Sequence, residues 1–274
     1  MKKILLAFAG NQFSNGAFEF ARRLNELQPV LLTGVFLPLA EPANLWSYAD
    51  GMASPHLLAP SEGNETQLVH QNIKRFEKLC RGNGIDYRVH KDFSDFALPE
   101  LKKESRYADL VILGSEEFYK NIGITESNDY LRDVLHDVRC PVLLVPEKFH
   151  FPESIILAYD NSEGSMYAIK QFAYLFPELT KLETLLVYAN INEGEDFPDK
   201  VQMEELAARH FPNLTLFKLE INPKKFFSTW IMEKKSAMLV SGSYGRSGIS
   251  QFFNKSFVKQ VIADHGLPVF IAHK

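Results

Sequence analysis

The chain has 274 residues, of which 46% are hydrophobic and 23% charged, and its formal net charge is −4. That is the composition of a globular protein with a full core, long enough for one large domain or two of common size. The slightly acidic balance offers no electrostatic footprint for nucleic acid, and no run approaches the roughly 20 apolar residues of a membrane span.

The chain opens on MKKILLAFAG, whose basic start, apolar run and Ala7-Phe8-Ala9 have the form of a secretory signal. The same pattern returns in mid-chain at Ile155–Tyr159, where no targeting signal acts, so Ile4–Phe8 is read as a buried first strand. Further short apolar runs follow at Val30–Phe36, Asp86–His90, Leu110–Gly114 and Val142–Val145. Between the second and third of these, Val69, Ile73, Phe76 and Cys80 recur at helical spacing within Gln67–Cys80. Leu37 to Gly63, with four prolines, is a long loop without a later counterpart. Lys148 to Glu153, rich in aromatics and proline, reads as a short stiff linker. After it come runs at Ile155–Tyr159, Thr184–Tyr188, Leu214–Leu219, Met238–Gly242 and Val269–Ala272. Continuous apolar runs separated by helical segments predict strands buried on both faces, joined as βαβ units in parallel sheets. Pro141 and Pro268 each precede a last strand, where a missing N–H costs little.

The second half repeats the first. ILLAFAGNQFSNGAFEF from Ile4 lies over IILAYDNSEGSMYAIKQ from Ile155 without a gap, and ADLVILGS from Ala108 over SAMLVSGS from Ser236. NDYLRDVLHDVRCPVLLV from Asn128 lies over KSFVKQVIADHGLPVFIA from Lys255. Three matches in one order predict two copies of one module, 1–147 and 153–274, each a five-stranded parallel sheet flanked by helices. Ile4–Phe8 and Ile155–Tyr159 are then equivalent central strands of two separate sheets.

The residues that carry chemistry cluster at one predicted sheet edge of the second copy. In open parallel sheets, ligands bind beyond the carboxyl ends of the strands where strand order switches. Asp160 ends the first strand of that copy, Gly242 and Gly245 follow its fourth, and Ser256 opens the next helix. Glycine admits close approach of backbone to phosphate, a hydroxyl at a helix start caps it or binds an anion, and an acid accepts from a ribose or base. Singly, each is a turn glycine, a cap or a loop acid; together they mark a site.

With these residues assembled, the chain resembles a tandem universal stress protein over nearly its whole length. That family's adenine-nucleotide motif is G-x-x-G, nine residues, then G-[ST]. Gly242, Ser243 and Gly245 match its first part, the spacer has the right length, and Ser256 matches its end. Lys255 stands where the family has glycine, and Asp160 matches the aspartate that ends the family's first strand. The resemblance implies Rossmann-like modules of the adenine nucleotide alpha hydrolase-like type, paired as an internal pseudo-dimer, and leaves a further homodimer open. It also implies a cytoplasmic stress-response protein that binds ATP or a related nucleotide through Asp160, Gly242, Ser243, Gly245, Lys255 and Ser256. The alternative is a scaffold that has lost nucleotide binding or takes another small ligand. The first copy departs further: Ala9 replaces the aspartate, Glu117 the second glycine, and Asp129 stands opposite Ser256. With Glu116 these acids put negative charge where a phosphate chain would lie. Lys255 either blocks phosphates by its bulk or attracts them as a point charge.

Other chemistries find no support in the sequence. Asn254-Lys255-Ser256 lacks the glycines of a P-loop, the eight histidines show no metal spacing, and no G-x-S-x-G elbow is present. Glu193–Asp196 reads as a solvated loop. Cys80 and Cys140, far apart and without a C-x-x-C pair, fit free thiols in a reducing compartment. With no catalytic base or metal carboxylate pair to name, the chain is at most a weak ATPase.

Overall fold

A computed structural model describes residues 1–9, 12–37, 64–90, 97–116, 137–189, 197–219, 230–231, 234, 236–242 and 266–272. Ten strands form: β1 (Lys2–Ala9), β2 (Val30–Leu37), β3 (Asp86–His90), β4 (Leu110–Gly114), β5 (Val142–Val145), β6 (Ser154–Tyr159), β7 (Glu183–Ala189), β8 (Leu214–Leu219), β9 (Ala237–Gly242) and β10 (Val269–Ala272). Among the described residues the longer helices are α1 (Asn15–Leu27), α2 (Asn64–Gly82), α3 (Ala97–Ser105), α4 (Glu163–Leu175) and α5 (Lys200–His210). Each expected strand is present, within two residues at either end.

The strands lie in the order β3-β2-β1-β4-β5-β10-β9-β6-β7-β8. Read inward from either edge, the two halves give one order, with the first strand central and the fourth and fifth toward the middle. Within each half every pair is parallel, while β5 and β10 pair antiparallel, Val142 opposite Ile271 and Leu144 opposite Val269. Two separate sheets were expected, and one continuous sheet is found. The physical reason is the edge: β5 and β10 are wholly buried, so their outward N–H and C=O groups need partners, and each supplies the other's. Antiparallel pairing of equivalent strands is also what a two-fold relation between the halves requires.

The central strands alternate between two apolar layers because successive side chains point to opposite faces. Ile4, Leu6 and Phe8 join a core with α1, α2 and α4, while Leu5 and Ala7 join a second core with Leu101 of α3. The helix faces follow from spacing: Val69, Ile73, Phe76 and Cys80 of α2 are buried, as their periodicity predicts. The linker contributes through Phe149 and Phe151, whose rings lie 5.5 and 5.1 Å from that of fully buried Phe20. Both rings are partly buried against the core, so each contributes less than the roughly 1.5–3 kcal/mol of a fully buried phenylalanine, and together they fasten this segment.

One ungapped match needs correction. Ser14 caps α1 by accepting from the Ala17 N–H, and Ser162 caps α4 by accepting from the Ser165 N–H. Five residues separate Phe8 from Ser14, but only two separate Tyr159 from Ser162. The strands are equivalent as matched; from Phe8 to its helix cap the first half has three more residues than the second has from Tyr159.

Candidate functional site

In the second half, β6 lies between β7 and β9, so the chain leaves β6 toward one neighbour and returns on the other. This is the switch point at which ligands sit in open parallel sheets. Asp160 follows β6 directly and Gly242 ends β9, which pairs with β6. The structure therefore brings these two expected site residues to neighbouring strand ends. Ser243, Gly245, Lys255 and Ser256 lie outside the described residues, as do Glu117, Asp129, the loop at 38–63 and Glu193–Asp196.

Local contacts explain much of this edge. Asp160 Oδ1 accepts from the Ser162 N–H at 3.0 Å, and Asn161 between them takes a left-handed φ of 62°. A short polar side chain tolerates that conformation, which turns the chain from strand into helix. Gly242 serves close packing: a Cβ there would come within 2.6 Å of Gly164 C and Ser165 N at the start of α4. Its φ is not left-handed, so space and not conformational freedom demands glycine.

Tyr159, 2% exposed at the end of β6, stacks on Phe197 at 5.4 Å and donates to Asn161 Oδ1 at 2.8 Å. Burial, followed by the charges of Asp199 and Asp160, pushes its hydroxyl up to about 12. It is a fixed donor at neutral pH. This role is not legible from the residues, because an aromatic residue ending a buried strand reads simply as core.

In the first half, aromatic side chains pack together at the ends of β1 and β2. The longer loop after β1 carries Phe13, which stacks on Phe8 at 4.6 Å; Phe8 in turn stacks on Phe36 at 4.8 Å. The Arg75 guanidinium lies over the Phe13 ring, 4.4 Å from its centroid. Nearby, the Glu147 carboxylate accepts from Asn15 N–H at 3.1 Å, Gly16 N–H at 3.0 Å, Ser14 Oγ at 3.2 Å and Asn15 Nδ2 at 2.5 Å. It occupies the positive end of α1, whose own first turn carries no acid. Both oxygens of Glu116 accept from the Glu147 N–H at 2.9 Å. Glu116, two residues beyond β4, thereby fixes Glu147. The backbones are close enough that a Cβ on Gly16 would lie 2.1 Å from the Pro146 oxygen.

Among the described residues no three His, Cys, Asp or Glu side chains converge as a metal site, and no helix is long and apolar enough to cross a membrane. Both thiols are raised to about 12, by burial first.

With this geometry in place, comparison with solved structures is informative. A universal stress protein from Archaeoglobus fulgidus superposes with a TM-score of 0.70, covering 100% of this chain and 96% of that one at 17% identity. The chain has the fold of the universal stress proteins. A putative universal stress protein from Pseudomonas aeruginosa gives a TM-score of 0.55 at 12% identity, covering 100% of this chain and 93% of that one. A functionally unknown protein from the same species gives 0.53 at 14%, covering 100% and 92%. No family model matches the chain, and no curated protein does.

Proposed function

We propose that this universal stress-type chain binds an adenine nucleotide of the ATP class in its second half, as a stress-response protein. The observation that carries the reading is the placement of Asp160 and Gly242 at neighbouring strand ends of the β6–β9 switch point. The motif that begins at Gly242 supports it through Ser243, Gly245 and Ser256, with the nine-residue spacer intact. We read 1–147 and 153–274 as the two modules, and the first as unable to take the same ligand. There Phe13 lies against the strand ends and Glu147 fills the helix terminus.

Lys255 provides the test, because its two roles differ in sign. If its ammonium acts as a point charge, Lys255→Ala weakens ATP binding by about 1 kcal/mol, roughly fivefold, with marked salt dependence. If its bulk is the obstacle, Lys255→Gly tightens binding by restoring close backbone approach. Failure of both the wild type and Lys255→Gly to bind at millimolar ATP would refute the reading. A scaffold function would then replace it. That second reading is favoured by one feature: packing against α4 and the turn into α4 already account for Gly242 and for one oxygen of Asp160.

A further inference from the structure

Beside the switch point, an open cleft of about 730 Å³ runs between α4 and α5, and neither Asp160 nor Gly242 lines it. Its mouth is acidic, with Glu163 on α4 and Asp199 at the start of α5. The mouth is also held in shape. Asn161 and Asp199 are the non-glycine residues with left-handed φ among those described, at 62° and 49°, and both border this cleft. The Tyr159 hydroxyl reaches Asn161 Oδ1 at 2.8 Å and the Pro198 carbonyl at 3.4 Å, so one buried side chain ties both sides.

Lys170 lines the far end, seven residues along α4 from Glu163, or about 10 Å at 1.5 Å per residue. Among the described residues its ammonium has no partner. The wall between the two ends carries Met166 and Met203, thioethers that adapt to varied apolar groups, with Tyr167 and Gln202 beside them. A ligand that satisfies both ends is a zwitterion about 10 Å long with an apolar centre. Three extended residues of peptide span about 10 Å.

We propose that this cleft binds a short peptide of about three residues, its amino group at Glu163 and Asp199, its carboxylate at Lys170 and an apolar side chain against Met166 and Met203. The site is separate from the nucleotide reading, and either stands without the other. The probe is the tripeptide Ala-Leu-Ala, titrated by calorimetry into the full chain with and without ATP. Wild type is expected to bind it with ATP making less than about a twofold difference. Amidating the peptide carboxylate is expected to weaken binding about fivefold, and so is acetylating its amine, the size of one exposed ion pair. Lys170→Glu is expected to weaken the free peptide about tenfold but to leave the amidated form unaffected or improved. Asp199→Asn, which keeps a residue suited to left-handed φ, is expected to weaken the free but not the acetylated peptide. No binding by wild type at millimolar peptide overturns the proposal, as does equal affinity for the capped forms. Competition with ATP also overturns it, by assigning the cleft to the nucleotide.

Discussion

Gly242 and Gly164 face each other where β9 meets α4, and replacing each by alanine should have opposite effects. At Gly242 a Cβ falls 2.6 Å from two backbone atoms of α4, against 3.4 Å for the start of ordinary contact, so helix and strand must part by about 0.8 Å. Neither atom belongs to a flexible side chain, and α4 is pinned by fully buried Ala168 and Phe172. Overpacking of this kind costs roughly 1–3 kcal/mol, of which the lower chain entropy of alanine recovers about 0.5–1. At Gly164 the nearest atom to a new Cβ is Ser162 Oγ at 3.7 Å, and the helical backbone accepts alanine without strain. We expect Gly242→Ala to destabilise by about 1–2 kcal/mol and Gly164→Ala to stabilise by about 0.5–1. Urea unfolding without ligand measures both through the shift in midpoint at constant slope. A neutral or stabilising Gly242→Ala would refute the packing argument, and the glycine would then need a ligand to explain it.

Other expectations concern the first half and the thiols. Glu147→Ala leaves the N–H groups of Asn15 and Gly16 without their carboxylate and should cost about 1–3 kcal/mol, with Glu147→Gln costing less; equal midpoints for all three proteins would contradict the capping role. Cys80 and Cys140 hold their protons to about pH 12 in the folded chain, against an ordinary value of 9.0. Alkylation of native protein at pH 9 should therefore be slow and rise as pH climbs toward 12, whereas the urea-unfolded chain should react fully at pH 9. Rapid native labelling at pH 9 would refute burial as the cause.

The strands were legible because a parallel sheet buried on both faces leaves apolar runs such as Leu110–Gly114. Edge strand β8 was legible too, despite its alternation of exposed and half-buried positions. What the residues did not disclose depends on contacts remote in sequence. The joining of β5 to β10 is made by main-chain hydrogen bonds, which no side chain advertises. The three extra residues between Phe8 and the cap of α1 were hidden because polar loop residues match almost any polar loop. Glu147 is the last residue of the first module as read from the repeat, yet it lies at the start of α1 in space. A helix with Ser14 at its cap and no acid in its first turn was the available hint. Asp160 and Gly242 were found by position at the strand ends, although their local roles, a turn and a close approach, needed coordinates.

The most direct test of the account is a calorimetric titration of the full chain with ATP. The β6–β9 switch point, with Asp160 and Gly242, is the proposed site, while in the first half Phe13 stacks on Phe8 of β1 and Glu147 holds the start of α1, so one nucleotide per chain is expected. Two equivalent sites, or no heat at millimolar ATP, would contradict it.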